Sequence, residues 1–408
     1  MSNDSVISSP QNKPIYFGAL DGFRGVFALL VAVHHSAWFS YLNYRSFIDQ
    51  AFVIIDLFFA FSGFLLYTLY HNKLSNRDEC KAFMKRRFAR LYPLHLFMLL
   101  VFIAYAGVRI LANKVGVSDL GADEILPFHA GAPENWASIL SNLTLTHSMG
   151  VHDYLSFNYP SWTVSVEFFT YFLFMALMVW LPPRKIWHFV LMGLGVIAIY
   201  YGLSQVPPKD GFTPKMDITY NFGFFRCVAG FFIGVIVARI YGIVRAKDLS
   251  PLRWNVTIWT LIELGMIVIG GVFLVYFQGP LQFYVGPVIF LFMLIFAFDG
   301  GAISRFMSCK PFQYLAKISY SVYMVHVIVA LGFGILGPRL FPNHISIPKL
   351  LDFGAEGSGI WGDVYMVPYL ITVIVISHFT YHFVERPGGK LLRNISIRKT
   401  FLGKVDKA

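Results

Sequence analysis

Long apolar runs recur along the whole chain, and short polar or charged segments separate them. Ten of these runs are 18 to 23 residues long, and a helix of about 20 residues crosses the ~30 Å hydrocarbon core of a bilayer. The predicted spans are residues 22–39, 50–70, 91–111, 162–181, 186–203, 220–241, 255–277, 281–298, 318–336 and 364–384. The pattern therefore predicts an all-α, polytopic membrane helical bundle with about ten transmembrane helices.

Composition supports a single membrane domain. Hydrophobic residues make up 56% of the 408 residues and charged residues only 13%, against about 25% charged in soluble domains. No polar stretch approaches the size of a domain, so we expect an N-terminal tail over 1–20, one transmembrane domain over 21–385 and a basic tail over 386–408. The first apolar run lacks a basic n-region and a small-residue cleavage site, so its helix is expected to be retained.

Basic residues alternate between the two sides of the predicted bundle. The two tails and every second connecting segment hold 24 of the 33 lysines and arginines, and the other connecting segments hold seven. By the positive-inside rule the first set is cytoplasmic, which places both termini in the cytoplasm. Membrane topology therefore explains the net charge of +11. The lipid bilayer is an expected partner and nucleic acid is not.

Cysteines and histidines give no sign of a metal or redox site. The three cysteines Cys80, Cys227 and Cys309 are far apart and lack a C-x-x-C spacing, so they are predicted to be free thiols. His378 and His382 lie one helical turn apart, but no further closely spaced ligands accompany them. No metal site is predicted.

The first span carries two ionisable residues in an otherwise apolar run. Arg24 and His35 are eleven positions apart, which is three helical turns plus about 20°, so they share one face about 16 Å apart along the axis. His34 lies about 80° off that face. Ionisable residues inside a membrane are functional by default, although a histidine hydrogen-bonded between helices is an alternative.

Two carboxylates are predicted at the depth of His35. Glu167 on the fourth span lies about 7 Å below the outer start of that span, and Asp56 on the second span lies at a similar level. A carboxylate beside a histidine base can fix its tautomer and stabilise the imidazolium. The alternative for Glu167 is a structural ion pair or an interfacial carboxylate. For Asp56, which opens the segment containing Ser62 and Gly63, helix packing is the favoured role.

A basic segment marks the cytoplasmic start of the third span. Arg87 and Arg90 are three residues apart and share a helical face, so they can grip phosphate oxygens bidentately. From charge alone, a topology signal or an anionic-lipid contact is the favoured explanation. Arg24 is predicted at a similar level, which favours phosphate binding.

The ninth span carries a polar stripe. Ser319, Tyr323 and His326 follow steps of four and three residues, so they should point together into the bundle, where interhelical hydrogen bonding is an alternative to a functional role. Arg226 and Glu263 on the sixth and seventh spans are predicted to form a structural ion pair. The apolar piece 137–145 in a long outer loop is too short to span and should be re-entrant or interfacial.

Six motifs follow one another in a specific order and spacing. They are Asp21-Gly22-Phe23-Arg24-Gly25 with ten residues between Arg24 and His35, Asp56-Leu57-Phe58-Phe59 through Ser62-Gly63-Phe64, Arg87-Phe88-Ala89-Arg90-Leu91-Tyr92-Pro93, Trp162 through Ser165 to Glu167, Ile318-Ser319-Tyr320-Ser321 through His326, and Glu385-Arg386-Pro387. With these motifs the chain resembles the acyltransferase 3 family over nearly its whole length.

The resemblance implies a membrane O-acyltransferase, most often an O-acetyltransferase, in a bacterial inner (plasma) membrane. It implies acetyl-CoA or another acyl-CoA as cosubstrate, no permanently bound cofactor, and a saccharide or other hydroxyl compound as acceptor. By the same resemblance His35 corresponds to the essential histidine, Glu167 to the family's glutamate, and Arg24, Arg87 and Arg90 to its functional arginines. Two departures are Thr163, where the family often has serine, and Phe168, where it often has a second acid.

These expectations combine into one mechanism. Acyl-CoA would bind from the cytoplasm with its phosphates near the arginines, and His35 would deprotonate an acceptor hydroxyl that enters from outside, while Glu167 orients the imidazole. An acyl-histidine intermediate is an open alternative. From another class, a proton-coupled transporter would use an intramembrane relay. The relay residues would be Asp56, Glu167, Arg226, Glu263 and His326.

Overall fold

A computed structural model describes most of the membrane domain. The described residues are 17–36, 38–42, 48, 50–116, 125–207, 216–247, 255–342, 344–345 and 359–395. Most of both predicted tails, residues 1–16 and 396–408, lies outside them. Within the described residues the chain is helical and contains no β-strand.

Thirteen α-helices are described. They are α1 Gly18–His34, α2 Ile55–Tyr70, α3 Arg77–Lys114, α4 Trp136–Leu143, α5 Trp162–Trp180, α6 Ile186–Ser204, α7 Gly223–Ala246, α8 Val256–Tyr276, α9 Val285–Phe296, α10 Ala302–Met307, α11 Lys310–Leu340, α12 Gly359–Thr380 and α13 Arg386–Asn394. Short 3-10 turns cover Ala51–Ile54, Tyr159–Ser161 and Gly279–Tyr284, and a π-helical turn covers Tyr381–Glu385.

All ten predicted spans fall on helices. Among the described residues, nine helical segments are long and apolar enough to cross a membrane. The remaining predicted span, the first in the chain, is α1, whose 17 residues measure about 26 Å. The chain is therefore a multi-pass integral membrane protein built as a helical bundle.

Helix α3 corrects one boundary. The apolar pattern predicts the third span from residue 91, but the helix begins at Arg77, where the Asn76 side chain accepts hydrogen bonds from the backbone N–H groups of Asp78 and Glu79, both at 3.0 Å. Its 38 residues measure about 57 Å, so α3 extends well beyond the bilayer core. Arg87 and Arg90 are consequently held on a continuous helix.

Helices α1 and α11 run parallel and in close contact. Arg24 Nη2 donates to the carbonyl of Ala316, and eleven residues further along the chain His35 contacts His326. Gly25 permits this approach, because a Cβ added there would lie 2.6 Å from the Ala316 backbone nitrogen. Both Arg24 and His35 thus face the same neighbouring helix, which confirms the prediction that they share a face of α1.

The short apolar piece in the outer loop forms α4. Asn135 caps this helix by accepting a hydrogen bond from the Ser138 N–H at 2.9 Å. Its last turn is fixed to α3, where His95 Nε2 donates to the Asn142 carbonyl at 2.9 Å and the Tyr92 hydroxyl donates to Leu143 at 3.0 Å.

Candidate active site

A cavity of about 400 Å³ opens between α1, α2, α3, α5 and α11. We call it the arginine cavity, because its polar lining includes all three arginines that the sequence singled out. The polar and ionisable side chains that line it are Asp21, Arg24, Ser62, Arg87, Arg90, Thr163, Glu167, Tyr171, Ser319, Tyr320 and Tyr323. It lies at the end of the bundle predicted to face the cytoplasm.

The three arginines are held in different ways. Arg24 pairs with Asp21 at 3.1 Å, and its Nε has no hydrogen-bond partner although it is buried. Arg87 lies over the rings of Tyr70 and Phe83, with its Cζ 5.8 and 5.9 Å from their centroids, and its buried Nε also lacks a partner. Arg90 is the most exposed of the three. The cavity therefore presents guanidinium groups with donors available for an anion.

Glu167 lies in the arginine cavity. Its Oε1 accepts a hydrogen bond from the Ser62 hydroxyl of α2, next to the close approach of α2 and α7 at Gly63, where an added Cβ would collide with the Phe231 backbone. The structure thus brings Glu167 beside the arginines, whereas the sequence placed it next to His35.

The hydrogen-bond partner of His35 is His326. The His35 Nδ1 lies 3.0 Å from the Val31 carbonyl oxygen and 3.1 Å from His326 Nε2, and His326 Nδ1 lies 3.3 Å from the Val322 carbonyl. A carbonyl only accepts, so in the neutral pair both Nδ1 atoms carry hydrogens. The single Nδ1 hydrogen of His35 is therefore shared between the Val31 carbonyl and His326 Nε2, and the His35 Nε2 keeps a free lone pair.

The imidazole pair is anchored from a third helix. The Tyr369 hydroxyl of α12 lies 3.0 Å from the Ala32 carbonyl and 3.3 Å from the His326 carbonyl, and all three groups are buried. His34, by contrast, turns away from α11, and its Nδ1 lies 3.0 Å from the Ile48 carbonyl. The prediction that His35, and not His34, shares the face of Arg24 is thus confirmed.

A second cavity of about 160 Å³ lies at the other end of the bundle, around His34 and His35. We call it the outer pocket. Its lining is Val31, His34, His35, Phe52, Ile55, Leu155, Tyr159, Pro160, Trp162, Asp217, Thr219, Arg226 and Tyr323. Ile55 and Tyr323 line both cavities, so these two side chains separate the arginine cavity from His35.

The polar stripe of α11 points into the bundle as predicted. Ser319 lines the arginine cavity, Tyr323 lines the wall between the two cavities, and His326 contacts His35. The Tyr323 hydroxyl donates to the Pro160 carbonyl at 2.9 Å and accepts from Thr163 at 3.2 Å. The Thr163 hydroxyl thus helps to fix the tyrosine between the cavities.

The predicted pairing of Arg226 with Glu263 is wrong. Arg226 instead pairs with Asp56, with its Nε at 2.9 Å and its Nη2 at 2.7 Å from Oδ2, and both residues are fully buried. Glu263 accepts the backbone N–H groups of Gly301, Ile303 and Ser304 at the start of α10. Asp56 thus joins α2 to α7 by an ion pair.

The remaining supporting residues shape the outer end. Trp162 packs under the Arg226 guanidinium, whose Cζ is 5.5 Å from a Trp162 ring centroid. Ser165 donates to the Leu145 carbonyl at 2.6 Å and accepts from the Ser148 N–H at 3.2 Å, which fixes the loop after α4. The residues of the alternative transporter relay make separate contacts: Asp56 with Arg226, Glu167 with Ser62, Glu263 with the start of α10 and His326 with His35.

The loop after α4 carries a buried histidine that the sequence did not identify. His147 Nε2 lies 3.1 Å from the Ser161 carbonyl, and its ring stacks on His95 with centroids 5.5 Å apart. Burial, with a smaller contribution from His95, lowers the pKa of His147 to about 3. This histidine is therefore neutral at physiological pH.

Two further side chains have partners that the sequence does not predict. Ser62 was noted only for helix packing, but it bonds Glu167. Glu385 was noted only as part of a terminal motif, but it accepts from the Ser321 hydroxyl of α11 at 2.7 Å at the end of the π-helical turn. A π-helical turn often marks a functional site, but no sequence pattern predicts it.

Comparison with known proteins gives one family match over most of the chain. The family model described as an acyltransferase domain, acyltransferase 3, matches residues 17–377. Over 391 residues the chain is 22% identical to the peptidoglycan O-acetyltransferase OatA of Listeria monocytogenes, an alignment that covers 92% of this chain and 56% of that protein.

Two other relatives match over shorter regions. The chain is 29% identical over 200 residues to the acyltransferase MdmB of Streptomyces mycarofaciens, 46% of each protein. It is 41% identical over 96 residues to protein 2 in the picA locus of Rhizobium radiobacter, 23% of this chain and 48% of that protein. The chain spans about half the length of these curated relatives. No solved structure matches it.

Proposed function

Since the chain belongs to the acyltransferase 3 family, we propose that it is a membrane O-acetyltransferase of the bacterial inner membrane. In this proposal it moves an acetyl group from cytoplasmic acetyl-CoA to a hydroxyl of an extracytoplasmic or lipid-linked saccharide. The names of its relatives, O-acetyltransferase and acyltransferase, support the reaction class. The observation that carries the proposal is the succession of an arginine cavity, a tyrosine wall and a histidine with a free lone pair along α1 and α11.

The donor would bind in the arginine cavity. Coenzyme A carries phosphates at one end and a thin pantetheine arm with the acyl thioester at the other. Guanidinium groups recognise phosphate oxygens with charge-assisted, often bidentate hydrogen bonds. Arg24, Arg87 and Arg90 supply three such groups, against two carboxylates in the described lining. The arm would then extend between Ile55 and Tyr323 toward His35.

His35 would act as the general base. Its Nε2 removes the proton of the acceptor hydroxyl, the oxygen attacks the thioester carbonyl, and the carbon–sulfur bond breaks to give the ester and the CoA thiolate, which takes up a proton. An acyl-histidine route uses the same Nε2 lone pair as nucleophile. Rapid quenching with acetyl-CoA in the absence of acceptor separates the two routes, because only the second labels the protein.

His326 would be a positioning residue. By accepting the Nδ1 hydrogen of His35, it fixes the tautomer that leaves Nε2 free and holds the ring while positive charge develops on it. Glu167, which the sequence assigned to this role, would instead balance the arginine charges and orient Ser62 at the donor end.

The test uses cells with and without the gene. Envelope and secreted glycans compared by mass spectrometry should lose acetyl esters in the deletion, and the intact gene should restore them while His35→Ala should not. The matched control is His71→Ala, because His71 also ends a helix with its Nδ1 near the carbonyl four residues earlier, at 2.9 Å. Acetylation restored by His35→Ala would refute the assignment, and so would substrate flux without any acylation.

A further inference from the structure

The outer pocket has a composition that selects its ligand. Resting on the function proposed above, we propose that this pocket seats a single uncharged sugar ring of the acceptor and that Asp217 is the residue that discriminates against anionic sugars. Its volume of about 160 Å³ is below the roughly 300–1,000 Å³ of sites for drug-sized ligands. One monosaccharide ring suits it better than a longer segment of glycan.

The pocket offers hydrogen-bond acceptors from its histidines and its carboxylate, and the tyrosine and tryptophan side chains of the lining add donors. His34 and His35 both have Nδ1 directed at a backbone carbonyl, so in their neutral forms both Nε2 atoms carry lone pairs. The Asp217 carboxylate adds acceptors on the opposite element, and Thr219 adds a hydroxyl. A ligand that satisfies these groups must bring several donors, and a ring bearing neighbouring hydroxyl groups does so.

Arg226 is the positively charged side chain in the described lining of the pocket, and its guanidinium donors are already hydrogen-bonded. Arg226 gives Nε and Nη2 to Asp56, Nη2 also to the Phe52 carbonyl at 2.7 Å, and Nη1 to the Ile218 carbonyl at 3.3 Å. Asp56 and Asp217 both act electrostatically on this one guanidinium, so the exposed Asp217 leaves a net formal charge of −1 among these three groups. A carboxylate-bearing sugar would meet this charge, and none of the described lining residues offers it a free cation.

An aromatic wall completes the seat. Tyr159 lies beside the reactive ring, with centroids 5.3 Å apart from His35, and Phe52 approaches His34 at 6.2 Å. Both also line the pocket. Aromatic rings combine large apolar contact area with defined geometry, so the carbon face of a pyranose can pack on Tyr159 while its hydroxyl edge faces the histidines.

Saturation-transfer NMR on the purified full chain in nanodiscs tests this proposal without acetyl-CoA. The probes are methyl β-glucopyranoside, which is neutral, and methyl β-glucopyranosiduronate, which differs by a carboxylate. We expect the neutral probe to receive about two- to fivefold more saturation than the anionic one, as expected for one solvent-exposed charge interaction. Asp217→Asn should bring the two signals close together.

The matched control is Asp153→Asn, because Asp153 is an exposed carboxylate of the same outer region that does not line the pocket. This variant should keep the preference of the parent protein. Thr219→Phe, which fills the pocket, should remove the signal of the neutral probe while thermal unfolding stays cooperative.

Three results would overturn the proposal: equal saturation of both probes in the parent protein, a preference unchanged by Asp217→Asn, or no saturation of either probe. Acetyl transfer is measured separately on the same sample. If no acetyl group is transferred but the probe preference depends on Asp217, the proposed function is refuted and the sugar-ring site is supported. If acetyl groups are transferred but the probe preference does not depend on Asp217, only the sugar-ring site is refuted.

Discussion

Replacing His326 by phenylalanine tests the imidazole pair most sharply. The ring of phenylalanine occupies a similar volume, but it removes the Nε2 acceptor that lies 3.1 Å from His35 Nδ1. The bond to the Val31 carbonyl at 3.0 Å remains, so His35 keeps one of its two local partners. The change therefore isolates the contribution of His326.

The expected loss follows from the charge that develops on His35. A hydrogen bond to a charged group contributes about 1.5–3 kcal/mol, and each ~1.4 kcal/mol is a factor of ten in rate. We expect kcat to fall about 10- to 100-fold in His326→Phe, with an unchanged KM for acetyl-CoA. His326→Gln offers an amide oxygen as acceptor and should lose less.

The assay is transfer of radiolabel from acetyl-CoA to the envelope glycan fraction by purified protein in nanodiscs, with His71→Phe as the matched control. Thermal unfolding is measured on each variant. A His326→Phe rate within about twofold of the parent rate would refute the positioning role, since even a net neutral hydrogen bond is worth ~0.5–1.5 kcal/mol. Equal losses in both His326 variants would indicate a purely structural role.

Three further changes probe the donor site, the core and the outer loop. Arg90→Ala should raise the KM for acetyl-CoA about 10- to 100-fold by removing charge-assisted hydrogen bonds. Arg86→Ala is the control, because the Arg86 Nε donates to Tyr70 outside the cavity, and this change should alter the KM less than about threefold. Equal effects of the two variants in Michaelis–Menten titrations would contradict the assignment. Asp56→Ala should lower the free energy of unfolding by about 3–5 kcal/mol, because it leaves Arg226 buried without its partner. The double variant Asp56→Ala/Arg226→Met should recover much of that loss. Denaturant unfolding of both variants measures the two changes. His147 has a pKa of about 3 in the folded protein and about 6.5 in the unfolded chain, so acidification between these values should destabilise the fold by up to ~1.4 kcal/mol per pH unit. His147→Gln should therefore flatten the dependence of the melting temperature on pH. An unchanged dependence in this variant would contradict the role of His147.

The sequence predicted the helices and their faces well, because both depend on short-range periodicity. The ten spans follow from apolar run length, and the shared face of Arg24 and His35 follows from eleven helical steps. The start of α3 was placed too late, since hydropathy detects only the apolar part of a helix whose first half is basic. The capping residue Asn76 was the available signal for its true beginning.

Partners between helices were harder to predict. Asp56 and Arg226 are 170 positions apart, and His35 and His326 are 291 positions apart. Depth in the membrane correctly grouped Arg24, Arg87 and Arg90 at one cavity, but it misplaced Glu167, which lies with these arginines and not with His35. Depth also does not determine which helices are neighbours, which is why Glu263 was wrongly chosen for Arg226. A glycine such as Gly25 signals a close helix contact without naming the second helix.

The central claim is that donor and acceptor meet from opposite faces of the membrane at His35. Proteoliposomes with the protein in one orientation test it most directly, when labelled acetyl-CoA is supplied only on the side of the arginine cavity and a glycan acceptor only on the opposite side. The account predicts acetyl ester on the acceptor, dependent on His35 and absent when the donor is moved to the acceptor's side. Transfer that requires both substrates on one side, or that persists in His35→Ala, would contradict it.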